Sequence, residues 1–366
     1  MTDPVFDYSG STFDTRPYID ALNQQIRQYC LSHPLTSEDR REVLIALLLR
    51  YAVRAACHSV HNREGGPFGA LLVDFETADD VPLVVGFGTN HVVTMNDPSA
   101  HAEICAIRSA AQQLGRSDLS DLTLITSCEC CPMCLAAAVG CKISRVYFAA
   151  TRSDAARAGF SDENQYGLMA RGGIEQHARK APDIAAAEHL LSGHDAMVQI
   201  SDGEERLAYF GDYATANPDD PTDLPVIQAI KRACRGLALR RSKASGKDMQ
   251  IFHLPDDALL ISRDTPHPLS LVMADWARIG RIRGSDAHNP ADDAPAKDNS
   301  RILYLRGQFE AMLIRDKQGQ EKSIPAQRVW EEIRHPSAIR ITGGISDCSA
   351  FDAWNLLVCN NAMPRY

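Results

Sequence analysis

The sequence predicts a mixed α/β protein in which helices cover a sheet, followed by a second α/β domain, and three observations predict it. The chain has 366 residues, more than double the ~150 typical of one domain. Hydrophobic residues make up 45% and charged residues 23%, ordinary values for a chain that buries a real core. Segments with apolar residues every three or four positions alternate with short apolar runs, the alternation expected of helices laid on strands.

The elements follow in order. Residues 1 to 40 mix Pro, Ser, Thr and Asp and read as an N-terminal extension with one short helix, Tyr18 to Cys30. From Glu42 to His61, Leu44, Ile45, Leu48, Leu49, Ala52, Ala55 and Ala56 mark one buried helix face. Phe68 to Phe75 and Val81 to Phe87 read as paired strands around a turn. Asp97-Pro98 announces a helix running to about Leu114. Leu122 to Thr126 is a strand, Pro132 to Gly140 a helix and Arg145 to Ala150 a strand, with Met197 to Ile200 a candidate last strand. The first domain therefore covers 41–201. Acidic and Pro-rich residues mark 202–224 as a linker. A second domain, 225–366, would hold a helix (Val226 to Leu239), apolar runs at Met249 to Leu254 and Ala258 to Ser262, and a helix from Leu269 to Ile282. After a loop, Gly284 to Ser300, come a strand at Ile302 to Leu305, a helix at Pro325 to Arg334, a strand at Ala338 to Thr342 and a helix near Phe351. The order of the first half recurs, which makes a degenerate duplicate one hypothesis for the second half, although the segments share no fixed residue period.

Several classes are disfavoured. The balance of 38 basic against 47 acidic residues, net −9, argues against a general nucleic-acid coat. No run of eighteen apolar residues offers a membrane span. The start MTDPVFDYSG lacks a basic, apolar leader, and the eleven cysteines are odd in number and bunched, which predicts a reducing cytoplasm.

The sharpest chemical signal is His101-Ala102-Glu103, followed by Cys131-Pro132-Met133-Cys134. Cysteines at i and i+3 of a helix point the same way, and one imidazole completes three ligands. Two thiolates with an imidazole select zinc and leave one tetrahedral position open. Two residues beyond His101, Glu103 is turned about 200° around the helix axis, so it is read as a proton shuttle rather than a fourth ligand. A closed structural site with Cys128 or Cys130 as fourth ligand is the alternative, as is a non-enzymatic zinc-stabilised binding module.

The pattern His-x-Glu then Cys-x-x-Cys is that of zinc deaminases, and the resemblance widens around it. Gly65-Gly66-Pro67-Phe68-Gly69-Ala70, Thr89-Asn90-His91-Val92, Asn96-Asp97-Pro98-Ser99-Ala100, Thr126-Ser127-Cys128-Glu129-Cys130 and Asp154-Ala155-Ala156-Arg157-Ala158-Gly159-Phe160 resemble the cytidine-deaminase-like superfamily, most closely its bacterial guanine deaminases. The resemblance covers residues 42 to 200 and implies a three-layer α/β/α fold and hydrolytic deamination of a purine or related amino-heterocycle. It implies zinc on His101, Cys131 and Cys134 and catalysis by Glu103. Substrate contacts would come from Asn90, Phe68, Ala102, Phe160 and Asp162. Phe351-Asp352-Ala353-Trp354 and the final Tyr366 resemble the tail that closes the family's pocket, often a neighbouring subunit's, so a homodimer is expected.

Two departures stand out. Cys130 replaces the family's usual Pro, and Val139-Gly140 replaces bulky aromatics, which predicts a looser ligand loop and a wider pocket. A basic run, Lys231, Arg232, Arg235, Arg240, Arg241, Lys243 and Lys247, reads first as a solvated helix face and second as a phosphate surface, which keeps tRNA adenosine deamination as the alternative function. Asp275 in Met273-Ala274-Asp275 is a candidate echo of the His-Ala-Glu position.

Overall fold

A computed structural model describes residues 14–33, 40–163, 165–166, 178–279, 301–324, 326–334 and 339–359. The expected loop Gly284 to Ser300 and the terminal Tyr366 lie outside them.

One sheet has the order β12-β4-β3-β1-β2. Its strands are β1 (Gly69–Asp74), β2 (Leu83–Thr89), β3 (Thr123–Cys128), β4 (Arg145–Ala150) and β12 (Arg340–Gly343). β1 runs antiparallel to β2 and β3, whereas β3, β4 and β12 are parallel. Alternation along β1 sends Ala70 and Leu72 into one apolar cluster and Leu71 and Val73 into another, so both sheet faces are covered. The first face receives α4 (Ala102–Leu114) and α5 (Pro132–Gly140). The second receives α1 (Arg16–Ser32) and α2 (Arg40–His61). α2 is long and apolar enough to cross a membrane by composition alone, but half of it is buried in the protein against this sheet. A three-layer α/β/α arrangement results.

α1 is more than an extension. Its Asn23 exchanges two hydrogen bonds with the backbone of Val84, Nδ2 donating to the carbonyl at 3.0 Å and Oδ1 accepting the amide at 2.8 Å, which protects the edge of β2.

A second sheet has the order β5-β9-β8-β6-β7: β5 (Ala178–Lys180), β6 (Ala196–Asp202), β7 (Glu205–Gly211), β8 (Leu259–Ser262) and β9 (Ile302–Tyr304). Around it are α7 (Ile184–Leu191), α8 (Pro225–Ser245) and α9 (Pro268–Trp276). Two short helices complete the set, α3 (Val92–Met95) between β2 and α4 and α6 (Arg152–Arg157) between β4 and β5. A hairpin, β10 (Met312–Arg315) and β11 (Glu321–Ile324), then α10 (Ala326–Arg334), lead to β12 and α11 (Ser349–Cys359).

The strand pairing corrects the sequence-based boundaries. Met197 to Ile200 belongs to β6 of the second sheet, and β12, expected in the second domain, adds to the first sheet. The 202–224 stretch is no linker. It contains β7 and a packed turn whose Thr222 is 0% exposed, because the acids that suggest a linker are engaged: Asp220 pairs with Arg108 at 3.0 Å. Met249 to Leu254 forms no strand, and the hairpin β10–β11 has no counterpart in the apolar pattern because it is short and half exposed.

Candidate active site

His101 and Cys131 are not inside helices but immediately before them: each is the extended N-cap of its helix, α4 and α5, and Pro132 fits the first helical position. β2, which precedes α4, and β3, which precedes α5, flank β1 and bring the two helix starts together, and the positive helix ends converge on one point.

At that point Cys131 Sγ lies 3.5 Å from His101 Nδ1 and 3.5 Å from Cys134 Sγ, and Cys134 Sγ lies 3.6 Å from His101 Nδ1. These edges suit a tetrahedral zinc, for which bonds of about 2.3 Å to sulfur and about 2.0 Å to nitrogen place neighbouring ligand atoms roughly 3.5–3.8 Å apart. Zinc fits the donor set. Cys128 and Cys130 stand outside the His101, Cys131 and Cys134 cluster, and Cys128 Sγ donates instead to the Thr151 carbonyl at 3.6 Å. A closed four-ligand site is therefore not what the described residues form. Burial raises both thiols, but the Cys134 thiol and the His101 imidazole outweigh it at Cys131, whose thiol falls well below the ordinary range. Cys134, buried beside that negative sulfur, goes up.

Glu103 is 4% exposed. Its Oε1 accepts from the Thr126 hydroxyl at 3.2 Å, and its Oε2 accepts from Cys134 Sγ at 3.4 Å. Burial, reinforced by the Cys131 charge, raises its carboxyl, the direction a proton-accepting group needs.

A cavity partly open to solvent contains Phe68, Asn90, His101, Glu103, Cys131, Phe160 and Asp162 in its wall. Asn90 Oδ1 accepts the amides of Gly66 and Val92, both at 3.3 Å, which orients its amide group. Phe68 and Phe160 meet edge to face, centroids 5.0 Å apart. Phe351 packs edge-on to Phe68 at 5.6 Å, and Trp354 lies 5.2 Å from Phe160, so the C-terminal helix α11 packs against two aromatics of the wall without itself lining the cavity. Ala102 does not line it. It is fully buried behind the ligands, its carbonyl against Gly88, where a Cβ would stand 2.2 Å away.

The two departures resolve differently from expectation. The loop at Cys130 is held by Tyr166, whose hydroxyl donates to the Cys130 carbonyl at 2.6 Å. Gly140 is not at the cavity: Met312 of β10 fills the space beside it, its Sδ 2.1 Å from where a Cβ would be, so the small residue admits the hairpin rather than widening the pocket. Asp275 ends α9 and accepts from Gln165 Nε2 at 2.6 Å, far in role from the His-Ala-Glu position. Sequence reasoning missed Phe252, His253 and Trp276, which line the cavity from the second half. No local motif marks them. In the basic run, Lys231 pairs with Asp223, Arg232 donates to the Phe210 carbonyl, Arg235 to the Met95 carbonyl, and Arg240 and Arg241 pair with Asp202. Five of those seven cations are thus engaged within the protein.

Residues 44–150 match the cytidine and deoxycytidylate deaminase zinc-binding region. The guanine deaminase of Bacillus subtilis is 46% identical over 118 residues, 32% of this chain and 72% of that relative. The tRNA-specific adenosine deaminase of Buchnera aphidicola is 34% identical over 106 residues, 29% of this chain and 66% of the relative. Among solved structures, the B. subtilis guanine deaminase is 45% identical with a TM-score of 0.30, covering 32% of this chain and 72% of that one. A guanine deaminase from Nitrosomonas europaea is 30% identical with a TM-score of 0.28, covering 31% and 63%. Both sheet faces, the ligand spacing and a relative matched over most of its length agree, and the chain belongs to the cytidine and deoxycytidylate deaminase zinc-binding family, as a hydrolytic deaminase that acts on C–N bonds.

Proposed function

We propose that this zinc deaminase acts on a purine-like base, guanine first, releasing xanthine and ammonia. The observation that carries the reading is the 46% identity with a guanine deaminase over 118 residues, beside the zinc-binding-region match over 44–150, which holds His101, Glu103, Cys131 and Cys134. His101, Cys131 and Cys134 would hold the zinc, and Lewis acidity that acidifies a water is the chemistry it supplies when bound.

The rest belongs to the chain. Glu103, held by Thr126, takes a proton from water through its carboxylate, delivers it to ring nitrogen N3 as oxygen adds at C2, and returns the second proton to the departing amine. Water and amine thus become carbonyl and ammonia. Phe68 and Phe160 hold the ring between apolar surfaces, Asn90 donates to it, and the Asp162 carboxylate accepts from the N1/N2 edge. Ammonia release by the zinc-loaded chain across guanine, guanosine, adenine, cytosine and amino-triazines tests this: guanine is expected fastest, and a preference for any pyrimidine or triazine overturns it.

A second reading, adenosine deamination on tRNA, is favoured by the 34% identity with a tRNA-specific enzyme. It requires RNA binding that weakens steeply with salt, and the internal pairing of most cations on α8 weighs against it.

A further inference from the structure

We propose that the second half of the chain is a metal-free copy of the catalytic half, its ion replaced by the Glu310 carboxylate, and that it now forms the outer wall of the single working pocket.

The correspondence is residue by residue. In the first sheet, Ala70 is flanked by Gly88 and Thr126. In the second, Ala196 is flanked by Gly211 and Ser262. A Cβ on Gly88 would meet the carbonyl of Ala102, first residue of α4, at 2.2 Å, and a Cβ on Gly211 would meet that of Pro225, first residue of α8, at 2.0 Å. Five residues separate Thr126 from the N-cap Cys131 (131 − 126), and five separate Ser262 from the N-cap His267 (267 − 262). Both N-caps precede a proline. The strand directions also agree, antiparallel for the first three and parallel for the last two. Fifth strands are exchanged: β5, which follows the first half, completes the second sheet, and β12, which follows the second half, completes the first. The copy therefore begins at α7, well before the boundary that composition suggests.

This alignment puts Leu224, His267 and Ser270 where His101, Cys131 and Cys134 stand, and Val226 where Glu103 stands. Leucine cannot ligate. Between the two helix starts lies Glu310, 2% exposed, whose Oε1 accepts the Val226 amide at 3.1 Å and whose Oε2 accepts the His267 amide at 3.2 Å and the Ser270 hydroxyl at 2.6 Å. Three hydrogen bonds from the two helix starts hold this carboxyl in place with no cation, against the burial that raises it, so the copy keeps its fold with no metal.

What the copy retains is contact with the working site. Trp276, at the end of α9, meets the His101 ring at 5.4 Å and 64°, and α9 packs on α5. Phe252 and His253 line the same cavity, and the segment that carries them is tied to the first half by the Ile251 amide donating to Asn96 Oδ1. These side chains limit what reaches the ligands from that side.

Metal analysis and chelator kinetics on the full chain test the proposal. One zinc per chain is expected, and none in the double variant Cys131→Ser/Cys134→Ser; a second zinc in the wild type, or one retained by the double variant, overturns it. In Trp276→Ala, extraction of zinc by a chelator is expected to quicken at least tenfold at an unchanged melting midpoint, with Trp276→Phe near wild type; Trp276→Leu replaces the alanine variant if that fails to fold. The kcat/KM ratio of guanosine to guanine should rise at least tenfold, which rests on the purine reading above. An unchanged extraction rate in a folded variant overturns the wall. Should the wild type release ammonia from no amine, the purine reading falls while zinc content and extraction still decide this one.

Discussion

The Thr126 hydroxyl reaches across 3.2 Å to Glu103 Oε1, tying the buried carboxylate beside Cys134 to the third strand of the sheet. Thr126→Val keeps the shape and removes that bond. A hydrogen bond to a charged group is worth about 1.5–3 kcal/mol, so kcat should fall roughly tenfold to a hundredfold with little change in KM, measured by steady-state ammonia release.

Glu103→Gln removes the proposed proton carrier while keeping its size. Loss of a general acid–base group costs about 10²–10⁴ in rate, and zinc content should stay at the wild-type level because Glu103 is outside the ligand set. Wild-type turnover in this variant would show that another group moves the proton.

Zinc removal should abolish activity and lower stability without unfolding the chain outright, since both sheets have cores of their own around the site. An ion at a hundred times its Kd contributes about 2.7 kcal/mol. Thermal melts before and after chelation, with recovery on adding zinc back, measure it.

Arg108 joins the halves. It lies 3.5 Å from Asp97 and 3.0 Å from Asp220, and it donates to Ser99 and Thr222 at 2.8 Å each. Burial would raise both carboxyls, but Lys231 and Arg108 outweigh it and hold them below the ordinary value. Depressed carboxyls contribute stability that is present above about pH 4 and lost as the pH falls through their lowered values. Arg108→Met strands two buried charges, for a loss of about 3–5 kcal/mol in denaturant melts at neutral pH.

Asp162 shifts the other way: burial, then the Cys131 charge, pushes its carboxyl up to about 7. An acceptor role needs the carboxylate, so KM for a purine base should fall as the pH rises through about 7. The sign for stability is opposite, because a raised carboxyl favours the folded state below its ordinary value and loses that advantage as the pH climbs to 7. Asp162→Asn should flatten both profiles, read from KM and melting midpoint against pH.

Much of the catalytic half is legible in the chain itself. His101, Glu103, Cys131 and Cys134 announce themselves because their chemistry depends on short spacings at two helix starts, and Pro132 marks one of those starts. The helices α2 and α4 show in their apolar rhythm because each buries one face against a sheet, whereas α5, buried nearly all round, shows only as an apolar run after Pro132. Strand partners are another matter. Nothing local distinguishes a strand that pairs with its own half from β5 or β12, which pair with the other, since register is decided by which edge is available and which apolar face must be covered. For the same reason the tertiary structure alone decided that Glu310 would sit between two helix starts and that Trp276 would stand against His101, contacts that link residues far apart in the chain and leave no motif behind.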